Sequence, residues 1–384
     1  MMQFLPGNHI SLLRSGAEYF PALEAAIAKA EQEVYLQTYI FELDATGYRI
    51  GSVLMQAAQR GVAVHLLLDG FGSKSLSKQY VRELQQAGVQ VMFYRPKVSP
   101  WTFKKSRLRR LHRKVVVVDS KIAFVGGINI IDDNDPHYQI PPRVDYAVRV
   151  EGTIVPTIVE SVYKLWRRLV WSNLHRLKRP AKPKLKTPKA SNKAGIQAVY
   201  LERNNVLHRH DIELAYLDAI SKATTEIIIA NAYFLPGKRF RQALLAAAKR
   251  GVAVKLLLQG RKEYFLMFAT HAYYRVFLDA GVEIYEHRKS FMHSKVAVID
   301  REWVTVGSSN IDPFSLLLSL EANVFILDKA FAHALKNEID PQIKSAYRVT
   351  ARKWNNDSKF KHLASWVAYG VVRFFLGVIG YSKE

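Results

Sequence analysis

The segment "LHRKVVVVD", residues 111–119, sets a histidine and a lysine two residues apart, follows them with four valines, and ends on an aspartate. Four consecutive β-branched residues predict a strand buried on both faces rather than a loop. Side chains alternate along a strand, so His112 and Lys114 project from one face about 6.6 Å apart, close enough to touch one phosphate. Asp119 lies roughly 23 Å from His112 along an extended chain, out of reach of the same atom, and reads as structural at the turn "DSK". The following "IAFVGGIN" returns as the second strand of a hairpin centred on Ser120. That hairpin brings Gly126, Gly127 and Asn129 back beside Lys114 and His112.

The pattern occurs twice. "MHSKVAVID" at 292–300, with a hairpin centred on Arg301, places Gly307, Ser308 and Asn310 beside Lys295 and His293. Glycines at these positions let an anion approach the backbone, and Asn and Ser offer uncharged hydrogen-bond donors. The repeat extends further: "AAQRGVAVHLLLDG" at 57–70 is matched by "AAKRGVAVKLLLQG" at 247–260, an offset of 190 residues. An apolar strand, "VYLQTYIF" or "IIIANAYF", precedes each copy, and a helical pattern ending in "AGV" follows it. Strand, helix, strand, helix, strand predicts a parallel α/β layer in each half.

The 384 residues hold 56 Lys and Arg against 33 Asp and Glu, a formal charge of +23 that draws in nucleic acid, an anionic membrane or phosphate-bearing substrates. No cysteine is present, which excludes a disulfide framework, a thiolate metal site and a cysteine nucleophile. The N-terminal "MMQFLPGNHISLLRSG" lacks a basic stretch followed by a long apolar run, so no secretory signal or leading transmembrane helix is expected. Between the halves, "HRLKRPAKPKLKTPKASNKAG" is basic and proline-rich with no acidic residue, and reads as a linker. The expected division is 1–175, a linker at 176–194, 195–350, and a tail at 351–384.

The two H-x-K-x4-D segments, each followed by G-G/S-x-N, resemble the signature of the phospholipase D superfamily. The resemblance implies an α/β fold of two duplicated phospholipase D-like domains, each a mixed sheet flanked by helices, with one active site at their pseudo-twofold interface. It groups His112, Lys114 and Asp119 with His293, Lys295 and Asp300 as the catalytic motifs. It implies covalent catalysis in two steps: His112 attacks phosphorus, and His293 protonates the leaving alkoxide and then deprotonates the incoming alcohol. Lys114, Lys295, Asn129 and Asn310 would hold the equatorial oxygens, supported by Ser308, Gly126, Gly127 and Gly307. The family also carries an acid downstream of each motif that fixes the histidine tautomer; the matching positions are Asp145 in "VDYAVRV" and Glu321 in "SLEANV". No metal and no cofactor is expected.

Longer segments, among them "GNHISLLRSGAEYFPALEAAIAKAEQEVYLQTYIF" and "VGSSNIDPFSLLLSLEANV", resemble bacterial cardiolipin synthases of the type lacking N-terminal transmembrane helices, over nearly all of residues 6–348. That implies transfer of a phosphatidyl group between two phosphatidylglycerol molecules with release of glycerol; the alternatives are a hydrolytic phospholipase D or a nuclease. Features outside the motifs favour a lipid. Trp101 and Phe103 precede the basic run leading into His112, and 263–281 is apolar and aromatic nearly all round. The segment 363–381 carries Arg373 as its only charge. It reads as a helix lying at the bilayer interface with Trp366, Phe374 and Phe375 inserted, since a mid-span Arg costs about 2.5 to 3.5 kcal/mol. The expected partners are anionic phospholipid, with phosphatidylglycerol as substrate, and a bacterial membrane. Nucleic acid is disfavoured by the apolar tail. The expected place is the cytoplasmic face of the inner membrane, peripheral or tail-anchored; oligomeric state is not legible.

Overall fold

The valine run forms the strand Lys114–Val118, and its returning partner spans Ile122–Gly126, with Lys114 opposite Gly126. The computed structural model describes residues 3–96, 109–134, 141–172, 195–204, 208–261, 269–313, 315 and 318–355, with four more between 365 and 371. The expectations placed on the linker 176–194, on Trp101 and Phe103, and on most of the 363–381 tail therefore fall outside the described residues.

In chain order the first half contributes β1 (Leu5–Arg14), β2 (Glu33–Thr38), β3 (Ala63–Asp69), β4 (Gln90–Tyr94), β5 (Lys114–Val118), β6 (Ile122–Gly126) and β7 (Tyr146–Gly152). The second contributes β8 (Ile196–Arg203), β9 (Glu226–Asn231), β10 (Ala253–Gln259), β11 (Glu283–His287), β12 (Lys295–Ile299), β13 (Trp303–Gly307), β14 (Glu321–Leu327) and the edge strand β15 (Tyr347–Val349). All fifteen join one sheet in the order β15-β11-β10-β9-β12-β13-β14-β8-β1-β7-β6-β5-β2-β3-β4. Outward from the β1–β8 seam, the order is the same in both directions until β15 extends the second half. The sheet is mixed: β2, β3 and β4 run parallel, as do β9, β10 and β11, while β5 to β7 and β12 to β14 are antiparallel meanders. Asn8 stitches the seam, its amide nitrogen donating to Leu5 O (2.7 Å) and Ile196 O (3.0 Å).

Every residue of β5 and of β12 is buried, which is why these strands read as continuous apolar runs. Val115, Val125 and Val148 share one core with Val296, Val306 and Val324 of the other half. Two helices, Val155–Ser172 and Lys329–Ser345, cover that shared core with Trp166, Leu335 and Ile339. Each half also has its own outer core under its crossover helices, around Leu54 and Leu66 in the first and Phe240 and Leu256 in the second. Fully burying one such side chain contributes about 1.5 to 3 kcal/mol. The shared core therefore commits the halves to one another. In the described part of 263–281, Tyr274 and Phe277 are buried in the second outer core, so this portion is core rather than membrane surface.

Each hairpin turns through two residues at positive φ, Asp119 (51°) with Ser120 (54°) and Asp300 (51°) with Arg301 (57°), the conformation whose twist suits adjoining strands. Lys121 N closes the first turn on Val118 O at 3.0 Å.

Candidate active site

The segment just before β5 runs alongside the residues just before β14: Leu111 bridges Leu320, and His112 N donates to Leu320 O at 3.0 Å. The segment before β12 does the same with the residues before β7: Val144 bridges Met292, and His293 N donates to Val144 O at 2.8 Å. Each histidine is thus held by backbone from the opposite half, and the two motifs are drawn to one interface.

The side chains repeat that exchange. His112 Nδ1 lies 2.8 Å from Glu321 Oε1, and His293 Nδ1 lies 2.7 Å from Asp145 Oδ2. The orienting acid of each histidine belongs to the other half. A carboxylate on Nδ1 fixes that nitrogen as the protonated one and leaves Nε2 as the free base. Glu321 is fully buried and its second oxygen accepts from Ser308 Oγ at 2.5 Å. Asp145 accepts from Tyr146 N at 2.8 Å.

Lys114 Nζ donates to His112 O at 2.7 Å, and Lys295 Nζ donates to His293 O. Lys295 Nζ also lies 2.8 Å from His293 Nδ1 and 3.8 Å from Asp145 Oδ2, so imidazole, ammonium and carboxylate share one knot. Both lysines are buried. Burial lowers Lys114 to about 7 and Lys295 to about 8, against the pull of Asp145 and Glu321. Burial, reinforced by the two lysines, also lowers both imidazoles, His293 well below its ordinary value. Burial raises Asp145 to about 6.

The glycines lie tight against the protein itself. An added Cβ on Gly127 would meet Asp145 Oδ1 at 2.3 Å, one on Gly126 would meet Ala147 Cα at 2.5 Å, and one on Gly307 would meet Asn323 Cγ at 2.2 Å. Close approach by the protein's own side chains and by the neighbouring strand is what these positions accommodate. Asn129 Oδ1 accepts from Ile40 N at 3.1 Å, and Asn310 Nδ2 lies 3.4 Å from Ser315 Oγ with its Oδ1 unpartnered among the described residues.

The motif aspartates, grouped with the catalytic residues by the signature, stand at the opposite ends of β5 and β12 from the histidines. Asp119 accepts the backbone N–H groups of Glu31, Gln32 and Glu33 at 2.8 to 3.0 Å. Asp300 does the same for Thr224, Thr225 and Glu226 over the same range. Each ties its hairpin to the loop entering β2 or β9; neither joins the site.

Other neighbours carry no motif of their own in the sequence. Tyr39 sets its ring edge against His112 (5.0 Å between centroids) and Tyr233 against His293 (6.3 Å). Phe291 stacks on His293 at 5.8 Å with the guanidinium of Arg143 over its ring. Asp69 Oδ2 accepts from Leu111 N at 2.8 Å, and Gln259 Oε1 accepts from Met292 N at 3.2 Å at the equivalent position. The signal for this pair lies in the repeat itself, "LLLDG" against "LLLQG".

A family model described as cardiolipin synthase, PLD-like domain, matches residues 23–135 and again 216–342. Cardiolipin synthase B of Shigella flexneri is 37% identical over 98% of this chain and 90% of its own length. The protein of the same description from Escherichia coli K12 is equally similar, and a probable cardiolipin synthase of Bacillus subtilis is 30% identical over 89% of this chain and 67% of its own. Among solved structures, a phosphatidylserine synthase of Haemophilus influenzae superposes with a TM-score of 0.73 over 99% of this chain and 97% of its own, at 13% identity, a likeness of fold.

Proposed function

The chain belongs to the family of cardiolipin synthases with a duplicated PLD-like domain, an enzyme family of phospholipase D-type transferases, and on that premise we propose that it makes cardiolipin from two molecules of phosphatidylglycerol. The observation that carries this reading is the crossed pair of His–carboxylate contacts, which supplies one interface with two imidazoles engaged through Nδ1, with no partner on Nε2 among the described residues.

In the proposed first step, Nε2 of one histidine attacks the phosphorus of phosphatidylglycerol; the P–O bond to glycerol breaks, and the other imidazolium gives the departing alkoxide its proton. In the second, that neutral imidazole takes the proton of a second phosphatidylglycerol hydroxyl, whose oxygen attacks the phosphohistidine and frees the nitrogen. The sum is two phosphatidylglycerol to one cardiolipin plus glycerol, with every proton returned. The family resemblance gives the attack to His112 and the proton transfers to His293. Lys114 and Lys295 stabilise the charge that develops on the equatorial oxygens, with Asn129 and Asn310 as uncharged donors. Tyr39 and Tyr233 wall the imidazoles against water. We place the enzyme at a membrane surface, since its substrate resides there; among the described residues no helix is long and apolar enough to cross a bilayer.

The test is to incubate the purified protein with phosphatidylglycerol vesicles and separate the lipids. Cardiolipin with stoichiometric glycerol supports the reading; phosphatidic acid alone makes water the acceptor, and unchanged lipid removes the reading altogether.

A further inference from the structure

Arg113 sits between His112 and Lys114 and therefore projects to the opposite face of the chain. Its guanidinium bonds Gln37 Oε1 (2.7 Å), Ser161 Oγ (2.8 Å) and Glu202 Oε2 (3.0 Å). This network, with Arg113 buried and Ser161 and Glu202 partly exposed, lines a cavity of about 750 Å³ between the helix Val155–Ser172 and the end of β8. Leu320, whose carbonyl holds His112 N, completes the floor. Arg113 and Leu320 thus tie the cavity to the His112 half-site, while His112 and Lys114 are not among its lining residues.

The helical wall has one face. Ser161, Leu165, Arg168 and Trp171 follow each other at spacings of four, three and three, so they stand in a row about 15 Å long, from the floor to the mouth. Trp171, at the mouth, is 76% exposed, the highest value among the described large hydrophobic residues that are exposed. Leu165, Val170 and Leu320 make an apolar lining. The charges are nearly all of one sign: Lys164, Arg167 and Arg168 on the helix and buried Arg203 across from them, where exposed His208 pairs with Asp211 at 2.7 Å. The single lining carboxylate, Glu202, is already engaged by Arg113 and Ser161. Lys164 pairs with Glu160, whereas Arg168 has no ion-pair partner among the described residues.

Cations above an apolar wall with a tryptophan at the rim match an anionic amphiphile. The phosphate meets the arginines, acyl carbons meet Leu165 and Val170, and the indole sits at headgroup level. We infer that this cavity is a second lipid site, separate from the reacting centre, that holds an anionic phospholipid which is not consumed. A free phosphate would satisfy the arginines but not the apolar wall, and a nucleic acid would leave that wall wet. The site goes beyond the proposed transfer reaction, which concerns only the two reacting lipids.

The experiment follows fluorescence of the full chain with vesicles carrying brominated phosphatidylglycerol, the Trp171 contribution being the difference between wild type and Trp171→Phe. Bromines on phosphatidylglycerol quench Trp171, whereas vesicles of brominated phosphatidylcholine alone do not. Each basic side chain near an anionic surface contributes about fivefold in affinity, so Arg167→Gln with Arg168→Gln moves the midpoint of Trp171 quenching to about twenty-five-fold more lipid. Turnover of detergent-dispersed phosphatidylglycerol stays at the wild-type level in both variants. An unmoved midpoint overturns the inference. Loss of quenching on adding inorganic phosphate alone overturns the lipid assignment in favour of a free-phosphate site. Loss of turnover in detergent places the arginines in the reacting centre and overturns the separation. Failure of wild type to form cardiolipin would fault the proposed reaction and leave the quenching readout intact.

Discussion

The two half-sites share their strands and differ in what surrounds the imidazole. His112 has a side-chain exposure of 14%, a glutamate whose other oxygen is held by Ser308, and a lysine that bonds its carbonyl. His293 is more enclosed, at 9%, its shorter Asp145 rests on Gly127 where no hydroxyl can stand, and Lys295 reaches its Nδ1. Arg143 adds a further positive charge near His293, while Asp69 stands where the other half has neutral Gln259. His293 is accordingly the harder of the two to protonate. Duplication preserved the geometry that aims the groups and let their electrostatics diverge, which is what two roles in one reaction require. The proposed order, in which His112 attacks and His293 carries the proton, places the proton carrier in the more enclosed half.

The largest effect tests that order. His112→Ala and His293→Ala each reduce turnover by about 10³-fold or more, because each removes either the nucleophile or the only proton carrier. Labelled phosphatidyl group retained on His112 in the His293 variant supports that order; retention on His293 in the His112 variant reverses it. Near-normal turnover in either would end the single-site account.

Next come the orienting acids. Glu321→Gln and Asp145→Asn keep shape but lose the charge that fixes the tautomer, and each lowers turnover by about 10² to 10⁴. Because the pairing is crossed, Glu321→Gln is expected to reproduce the burst kinetics of a His112 defect, and Asp145→Asn those of a His293 defect. Pre-steady-state traces with the opposite match would break the crossed assignment.

A smaller effect appears in pH dependence. Lys114 at about 7 and Lys295 at about 8 lose their charge as pH rises through those values, so activity declines on that side. Asp145, raised to about 6, gives up its charge as pH falls through that value, so activity declines there too. Stability moves the other way on the alkaline side. The unfolded lysines keep their protons up to about 10.4, so the unfolded state binds more protons between roughly pH 7 and 10, and folding gains as pH rises through that window. Paired rate and melting profiles check this; parallel declines would refute it.

The smallest effect belongs to the motif aspartates. Burial would raise Asp300, but three backbone N–H donors hold it near 2, so its stabilisation is present above the unfolded carboxylate range and fades as pH falls towards 2. Asp300→Asn is expected to cost about 1 to 2 kcal/mol at neutral pH after allowing for solvent screening, and to leave specific activity within a fewfold. An inactive variant with an unchanged melting temperature would contradict the placement of Asp300.

Much of this architecture is legible in the amino-acid sequence. The valine run and its return specify β5 and β6 because strand burial and hairpin register are local, and the repeat predicts the same for β12 and β13. Asp145 and Glu321 stand out by their place after each motif, but which histidine each serves depends on how the halves dock, which no spacing encodes. The surroundings of the glycines are hidden for a related reason: Gly127 abuts a carboxylate eighteen residues downstream that arrives only when β7 pairs with β6. Tyr39 and Tyr233 lack equivalent positions, standing two residues before Phe41 and one before Phe234, so the repeat does not flag them.

The exchange of acids across the interface also acts as a lock on premature chemistry. A half that has folded while its sister is still unmade owns a histidine without a carboxylate and a carboxylate without a histidine. It has no oriented nucleophile to turn on whatever phosphodiester it meets. On the proposed mechanism, competence arrives only when the halves dock and the crossed contacts form, so the finished architecture itself would serve as the safety catch on a reactive nitrogen.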